Sequence, residues 1–163
     1  MLTRTLTAGD GPTLHGLLAW HATYAPRRVP RFEQEPGDVR TTSYGEFYLR
    51  ARQVAGLLRD AGVRPGDRVN VHLANQPEFY ECRFGTALAG AVLVPTNPLI
   101  SAEELVFMLR YAQCRAVITE QALHRVVAES VAETSNLVLV LVSHAAPARP
   151  VSCWSAASRA GRT

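Results

Sequence analysis

Residues 62–98, GVRPGDRVNVHLANQPEFYECRFGTALAGAVLVPTNP, decide the fold, because they hold a strand, a helix and a second strand in succession. Pro65, Gly66 and Asp67 form a turn. The Val-rich segment Arg68 to Leu73 that follows reads as a strand. Pro77 suits the first turn of a helix, where its missing N–H has no intrahelical partner to lose. Phe79, Cys82, Phe84 and Leu88 carry an apolar pattern onward to Gly90. Ala91 to Val94 then reads as a short buried strand stopped by Pro95. Two strands joined by a helix of this length form a β-α-β unit, which implies parallel pairing through a crossover.

The same alternation continues on both sides. Upstream, Leu14, Leu17, Leu18 and Tyr24 mark a first helix over Thr13 to Ala25, ending before Pro26. Val29 to Thr42, broken by Pro30, Pro36 and Gly37, reads as a small hairpin with extended pieces at Arg31 to Gln34 and Val39 to Thr42. Ser43 and Glu46 have the spacing at which hydroxyl and carboxylate satisfy each other's backbone N–H at a helix start. The helix they open, Tyr44 to Ala61, is striped by Phe47, Ala51, Val54, Ala55 and Leu58, and Gly62 offers a left-handed stop.

Downstream, Ser101 and Glu104 repeat the spacing ahead of a helix with Leu105, Met108 and Leu109 on one face. Ala116 to Thr119 is the next strand, Gln121 to Thr134 the next helix, and Asn136 to Val142 the last strand. The expected class is α/β, a parallel sheet flanked by helices with a small N-terminal hairpin. From Ser143 to Thr163 the chain turns to Ala, Pro, Ser, Arg and Gly without periodicity, and reads as a disordered tail. The expected organisation is therefore an α/β portion over 1–142 followed by a tail over 143–163.

Composition narrows the function. The chain is 47% hydrophobic and 19% charged, which is globular and not disordered. Its formal charge of +3 is carried by the tail, where Arg149, Arg159 and Arg162 meet no acid. A neutral remainder without clustered cations argues against a nucleic-acid surface. All 17 basic residues are Arg; there is no Lys. Cys82, Cys114 and Cys153 show neither C-x-x-C nor His-linked metal spacing, and read as buried or free thiols of a reducing cytosol. Met1 to Gly11 lacks an apolar signal core, and the aliphatic run Leu137 to Val142 is far short of the roughly 20 residues of a spanning helix. A cytoplasmic location and no membrane span are expected.

Three blocks together resemble the opening third of adenylate-forming (AMP-dependent) acyl-CoA synthetases, in pattern those of the carnitine/crotonobetaine and fatty-acid kind. They are Thr42-Ser43-Tyr44-Gly45-Glu46-Phe47; Gly62 to Val69 with Asn75-Gln76-Pro77-Glu78-Phe79; and Ala89 to Pro98, followed by Glu104-Leu105 and Val117-Ile118-Thr119. Each block alone builds scaffold; their order and spacing carry the resemblance, from about Thr13 to about Val142. The resemblance implies a two-step parent reaction. A carboxylate attacks the α-phosphate of ATP, giving an acyl-adenylate and pyrophosphate, and CoA thiol then displaces AMP. Such chemistry needs backbone N–H groups and cations aimed at the phosphates, with a metal ion.

In the family these groups come from a Ser/Thr/Gly-rich loop ending in Lys, an aromatic-Gly-x-Thr-Glu segment, a ribose-binding aspartate and a C-terminal lysine, all beyond the matched stretch. Glu133-Thr134-Ser135-Asn136 is the nearest candidate loop and has no glycine. Neither a P-loop nor a Gly-x-Gly-x-x-Gly turn occurs. No catalytic, cofactor-binding or metal residue is therefore carried over, and ATP, Mg and CoA belong to the parent enzyme. His15, His21, His72 and His124 read as satisfied or solvated, and Ser130 and Ser135 lack a nucleophile setting. Glu33, Glu35 and Asp38 read as a polar loop between short strands. The chain is expected to be a non-catalytic part of a ligase, partnered by the missing remainder or by a second copy. The alternatives are an interaction module that pairs with a full-length ligase or itself, and an unrelated nucleotide-binding doubly wound domain.

Overall fold

Ser43 and Ser101 each open a helix by the reciprocal arrangement their spacing implies. The Ser43 hydroxyl accepts from Glu46 N–H at 3.1 Å while the Glu46 carboxylate accepts from Ser43 N–H at 2.9 Å. Ser101 and Glu104 do the same at 3.2 and 2.9 Å. Each cap contributes about 1 kcal/mol by satisfying donors that a helix start leaves without partners. The computed structural model describes residues 13–27, 31–35, 38–134, 137, 139–143 and 154–158. In it the helices are α1 (Leu14–Tyr24), α2 (Tyr44–Asp60), α3 (Pro77–Leu88), α4 (Ala102–Tyr111) and α5 (His124–Ala132). The strands are β1 (Arg31–Glu35), β2 (Asp38–Thr41), β3 (Arg68–His72), β4 (Val92–Pro95), β5 (Cys114–Glu120), β6 (Leu139–Ser143) and β7 (Trp154–Ser158).

β1 and β2 form a separate antiparallel pair, the expected hairpin. The main sheet runs β4-β3-β5-β6-β7, parallel through β6 with β7 antiparallel at the edge. From β3 the chain moves to β4 on one side, then crosses back over β3 to β5 on the other. Because such crossovers are right-handed, this reversal puts the helices on opposite faces. α2 and α3 cover one face, where Val54, Leu58, Val69, Val71, Cys82 and Ile118 form a core. α4 and α5 cover the other, around Leu105, Leu109, Cys114, Val117, Val127 and Leu137. A smaller cluster of Leu18, Phe47 and Ala51 ties α1 to α2.

Four expectations change. The segment read as a tail contributes β7, which pairs Trp154 with Ser143 and Ser158 with Val140. An edge strand offers a row of unpaired backbone groups that can order an extended segment of weak intrinsic propensity. β4, expected to be buried, is the opposite edge, and Val92 is half exposed there because only β3 flanks it. The helix expected over Gln121 to Thr134 starts with a 3₁₀ turn, Gln121–Leu123, and becomes α-helical at His124. The apolar stripe of α1 buries only Leu18, leaving Leu17, Trp20 and Tyr24 exposed.

Candidate functional site

In an open parallel sheet the ligand crevice lies beyond the C-terminal ends of the strands where the chain reverses direction, here between β3 and β5. The loop leaving β3, residues 73–76, contains no glycine to bring backbone N–H groups close to a phosphate. A carboxylate of the chain itself lies across the crevice mouth. Glu120, the last residue of β5, accepts from Ala74 N–H at 3.1 Å and from Gln76 Nε2 at 2.8 Å. Gln76 is the residue before α3, whose first turn carries another carboxylate, Glu78. The Glu120 carboxylate therefore stands where a phosphate would approach, and its two bonds tie the end of β5 to the loop after β3.

Behind Glu120, on the face covered by α4 and α5, the sheet carries a row of buried polar side chains. Asn70 and His72 alternate with Val69 and Val71 along β3, and register pairs Asn70 with Val117 and His72 with Thr119. Asn70, His72 and Thr119 are fully buried. Asn70 Nδ2 donates to the Val94 carbonyl at 3.0 Å and to Thr96 Oγ1 at 3.2 Å, and Thr96 Oγ1 lies 3.0 Å from His72 Nδ1. The Thr96 hydroxyl thus accepts from Asn70 and bonds to His72 Nδ1, the direction of that second bond being set by the ring tautomer. Burial holds the His72 imidazole below its ordinary range, opposed by the nearby Glu120 charge. Among the described residues, His72 Nε2, Asn70 Oδ1 and Thr119 Oγ1 have no hydrogen-bond partner.

Among the described residues, the opposite face holds one fully buried carboxylate. Glu81 on α3 is fully buried and meets Arg50 of α2, Nη1 to Oε1, at 3.0 Å. Burial raises the Glu81 carboxyl, and the Arg50 hydrogen bond and charge pull it back. The pair clamps α2 to α3. A shallow cleft of about 570 Å³ opens beside α4, between the loop at Pro95 to Asn97 and Ile100, Phe107 and Met108, with Glu103 and Glu104 on its lining.

The residues weighed from sequence fall as follows. His15 lies near Thr13 and His21 stacks on Tyr44 at 4.7 Å. His124 begins α5. Ser130 is buried, and its hydroxyl is engaged by the Ala102 and Val126 carbonyls. Glu33 and Glu35 lie within β1, and Asp38 opens β2, where a loop was expected. Ser135, Asn136 and Cys153 lie outside the described residues. Cys82 and Cys114 are buried, and burial pushes the Cys114 thiol up to about 11 despite Arg68 nearby. Among the described residues, no group of three or more His, Cys, Asp or Glu could hold a metal ion, and no helix is long and apolar enough to cross a membrane. The polar row was missed. Its signal was available in Asn70 and His72, polar residues at alternate positions of a strand that a fully covered parallel sheet would make apolar throughout.

Residues 18–160 match the family described as AMP-binding enzyme, a span that takes in the whole parallel sheet and β7. The chain belongs to the AMP-binding enzyme family. Within it, the chain is similar to the crotonobetaine/carnitine–CoA ligase of Proteus mirabilis (strain HI4320), 40% identical over 88 residues that make up 54% of this chain and 17% of that protein. The ligase of the same name from Citrobacter koseri is 31% identical over 126 residues, 76% of this chain and 24% of that one. Among solved structures, a benzoate CoA ligase from Burkholderia xenovorans LB400 superposes with TM-score 0.70 and 26% identity over 91% of this chain and 30% of its own. A Mycobacterium tuberculosis fatty acyl CoA synthetase gives TM-score 0.62 and 30% identity over 70% of this chain and 22% of its own. The chain thus spans between 17% and 24% of the curated ligases it matches.

Proposed function

We propose that this chain is the N-terminal scaffold of an AMP-dependent acyl-CoA synthetase and is inactive by itself. The parent reaction joins a carboxylic acid to ATP as an acyl-adenylate and then transfers the acyl group to CoA. The observation that carries the reading is the match to only a fifth or so of each CoA ligase, the fifth that builds sheet and helices. Two further features support it. A chain of 163 residues without lysine cannot fill the lysine roles that the family resemblance implies. The strand-end crevice, where a nucleotide would be expected in a doubly wound domain, is bridged by Glu120. ATP, Mg and CoA are accordingly ligands of the parent enzyme, which we place in cytoplasmic fatty-acid or carnitine-type acid activation.

A pyrophosphate-release assay with ATP, CoA and a panel of fatty, aryl and carnitine-type acids tests this. The chain alone should stay at the no-enzyme background, and sustained turnover would show that it is a complete catalyst. The second reading, an interaction module that pairs with a full-length ligase or with itself, is favoured by the exposed apolar side chains of α1 and α4. Sedimentation of the chain with and without a full-length ligase separates the two readings.

A further inference from the structure

Three fully buried side chains of the sheet each carry a polar atom without a hydrogen-bond partner among the described residues: Asn70 Oδ1, His72 Nε2 and Thr119 Oγ1. The fold brings them together. His72 and Thr119 are direct register partners on β3 and β5, and Asn70 pairs with Val117, two residues before Thr119. Val117 belongs to the core under α4 and α5, and alternation along the strands puts Asn70, His72 and Thr119 on that same covered face. The remaining polar atoms of Asn70 and His72 are engaged on the β4 side. Asn70 Nδ2 reaches the Val94 carbonyl and Thr96 Oγ1, and His72 Nδ1 reaches the same Thr96 oxygen. The two nitrogens of an imidazole point in diverging directions, as do the nitrogen and oxygen of a carboxamide. With Nδ1 and Nδ2 committed to β4, His72 Nε2 and Asn70 Oδ1 are turned away from it, and β5 with Thr119 lies on that side. Leaving such atoms bare in the interior forfeits their hydration with no return, so native proteins give them partners.

We propose that Asn70 Oδ1, His72 Nε2 and Thr119 Oγ1 form a binding site for one structural water molecule, held between β3 and β5 beneath α4 and α5. The chemistry of the three atoms selects the occupant. Asn70 Oδ1 only accepts, so the occupant must donate a proton to it. His72 Nε2 donates or accepts according to the ring tautomer, and the Thr119 hydroxyl does either. Water, with two donors and two acceptors, satisfies all three atoms in both tautomers. A metal cation is compatible only with the tautomer whose Nε2 lone pair is free, and an anion is repelled by the Asn70 oxygen and by Glu120, the residue after Thr119. A direct bond from His72 Nε2 to Thr119 pairs two of the atoms and leaves Asn70 Oδ1 bare. Buried waters make about three hydrogen bonds each, the number offered here. The water completes a chain from Asn70 through Thr96 and His72 to Thr119, across the C-terminal ends of β4, β3 and β5. Glu120 then fastens the loop after β3, so the loops on both sides of the strand-order reversal are held by adjoining bonds.

Two measurements on the full chain test the site. A high-resolution crystal structure should show one density peak within about 2.7–3.2 Å of all three atoms, the range of ordinary hydrogen bonds. Urea unfolding of Thr119→Val and Thr119→Ser separates hydration from packing. Valine keeps the volume and removes the hydroxyl, whereas serine keeps the hydroxyl and leaves a gap the size of a methyl group. A water ligand at Thr119 predicts the lower urea midpoint for valine, because the water and His72 Nε2 lose a partner in the interior. Packing alone predicts the reverse order, the more so because valine favours strands. The peak should persist in the serine variant and weaken or vanish in the valine variant. Three results overturn the proposal: His72 Nε2 bonded directly to Thr119 with no space for water, density for an ion in place of water, or a valine variant at least as stable as the serine one. Should Thr119→Val fail to fold, the density in the unmodified chain decides alone.

Discussion

At the scale of single residues, His72 couples the polar row to pH. Its folded-state pKa lies below the unfolded value of about 6.5, since burial disfavours the imidazolium more than the Glu120 charge favours it. A lowered pKa means that, below about pH 6.5, the unfolded chain takes up a proton that the folded chain resists. The contribution is thus fully present above that pH and is lost as pH falls through the folded-state value, with a slope of at most about 1.4 kcal/mol per pH unit. Glu81 acts with the opposite sign. Its raised pKa gives stability that is present below its unfolded value and lost as pH rises through the folded one. Urea unfolding at about pH 7.5 and about pH 5.5 separates the two when wild type is compared with His72→Gln, because Glu81 is common to both. The variant should be less stable at the higher pH yet lose less on acidification. An equal loss in both proteins would mean that His72 titrates freely in the folded state.

At the scale of elements, α2 and α3 pack tightly against each other at Gly85. A Cβ there would lie 2.6 Å from Val54 Cβ and 2.8 Å from the Ala51 carbonyl oxygen, so the two helices cross with no space for a methyl group. Gly85→Ala improves helix propensity by nearly 1 kcal/mol, but overpacking of this kind costs about 1 to 3 kcal/mol and here meets backbone. The expected result is net destabilisation with a lower urea midpoint, and an unchanged or higher midpoint would refute the close crossing. This glycine was not legible in the sequence, whereas the helix ends were. Ser43, Ser101 and Gly62 act through bonds to residues three to five positions away, so local spacing suffices to read them; Gly62 N–H reaches the Arg59 carbonyl and Val63 N–H the Leu58 carbonyl. The end of α4 is closed by Gln113 at φ 51°, a left-handed position without glycine, held by Arg68 bonds to the Ala112 and Gln113 carbonyls. That end depends on a residue 45 positions away, and no local pattern announces it. The same reason hid the polar row, the Glu120 bridge and β7, each made by segments far apart in sequence.

At the scale of the whole molecule, the order β4-β3-β5-β6-β7 makes β3 and β5 the structural axis, since both cores are built on their two faces and each has a strand on either side. The β1–β2 pair stands apart as a two-stranded ribbon, a form with marginal stability of its own. Opening β3 or β5 exposes Val69, Val71, Ala116, Val117 and Ile118, all fully buried, and disrupts packing on both faces at once. Local opening should therefore cost as much as global unfolding there, and much less in the ribbon. Native-state hydrogen exchange over a series of low urea concentrations reads the difference directly. Amides of Val69 to Val71 and Ala116 to Ile118 should exchange with the full urea dependence of global unfolding, while those bonded between β1 and β2 should exchange faster and with almost none. If the β3 and β5 amides instead exchanged through separate, urea-independent openings, the two faces would be independent units, and the sheet could not act as one rigid body.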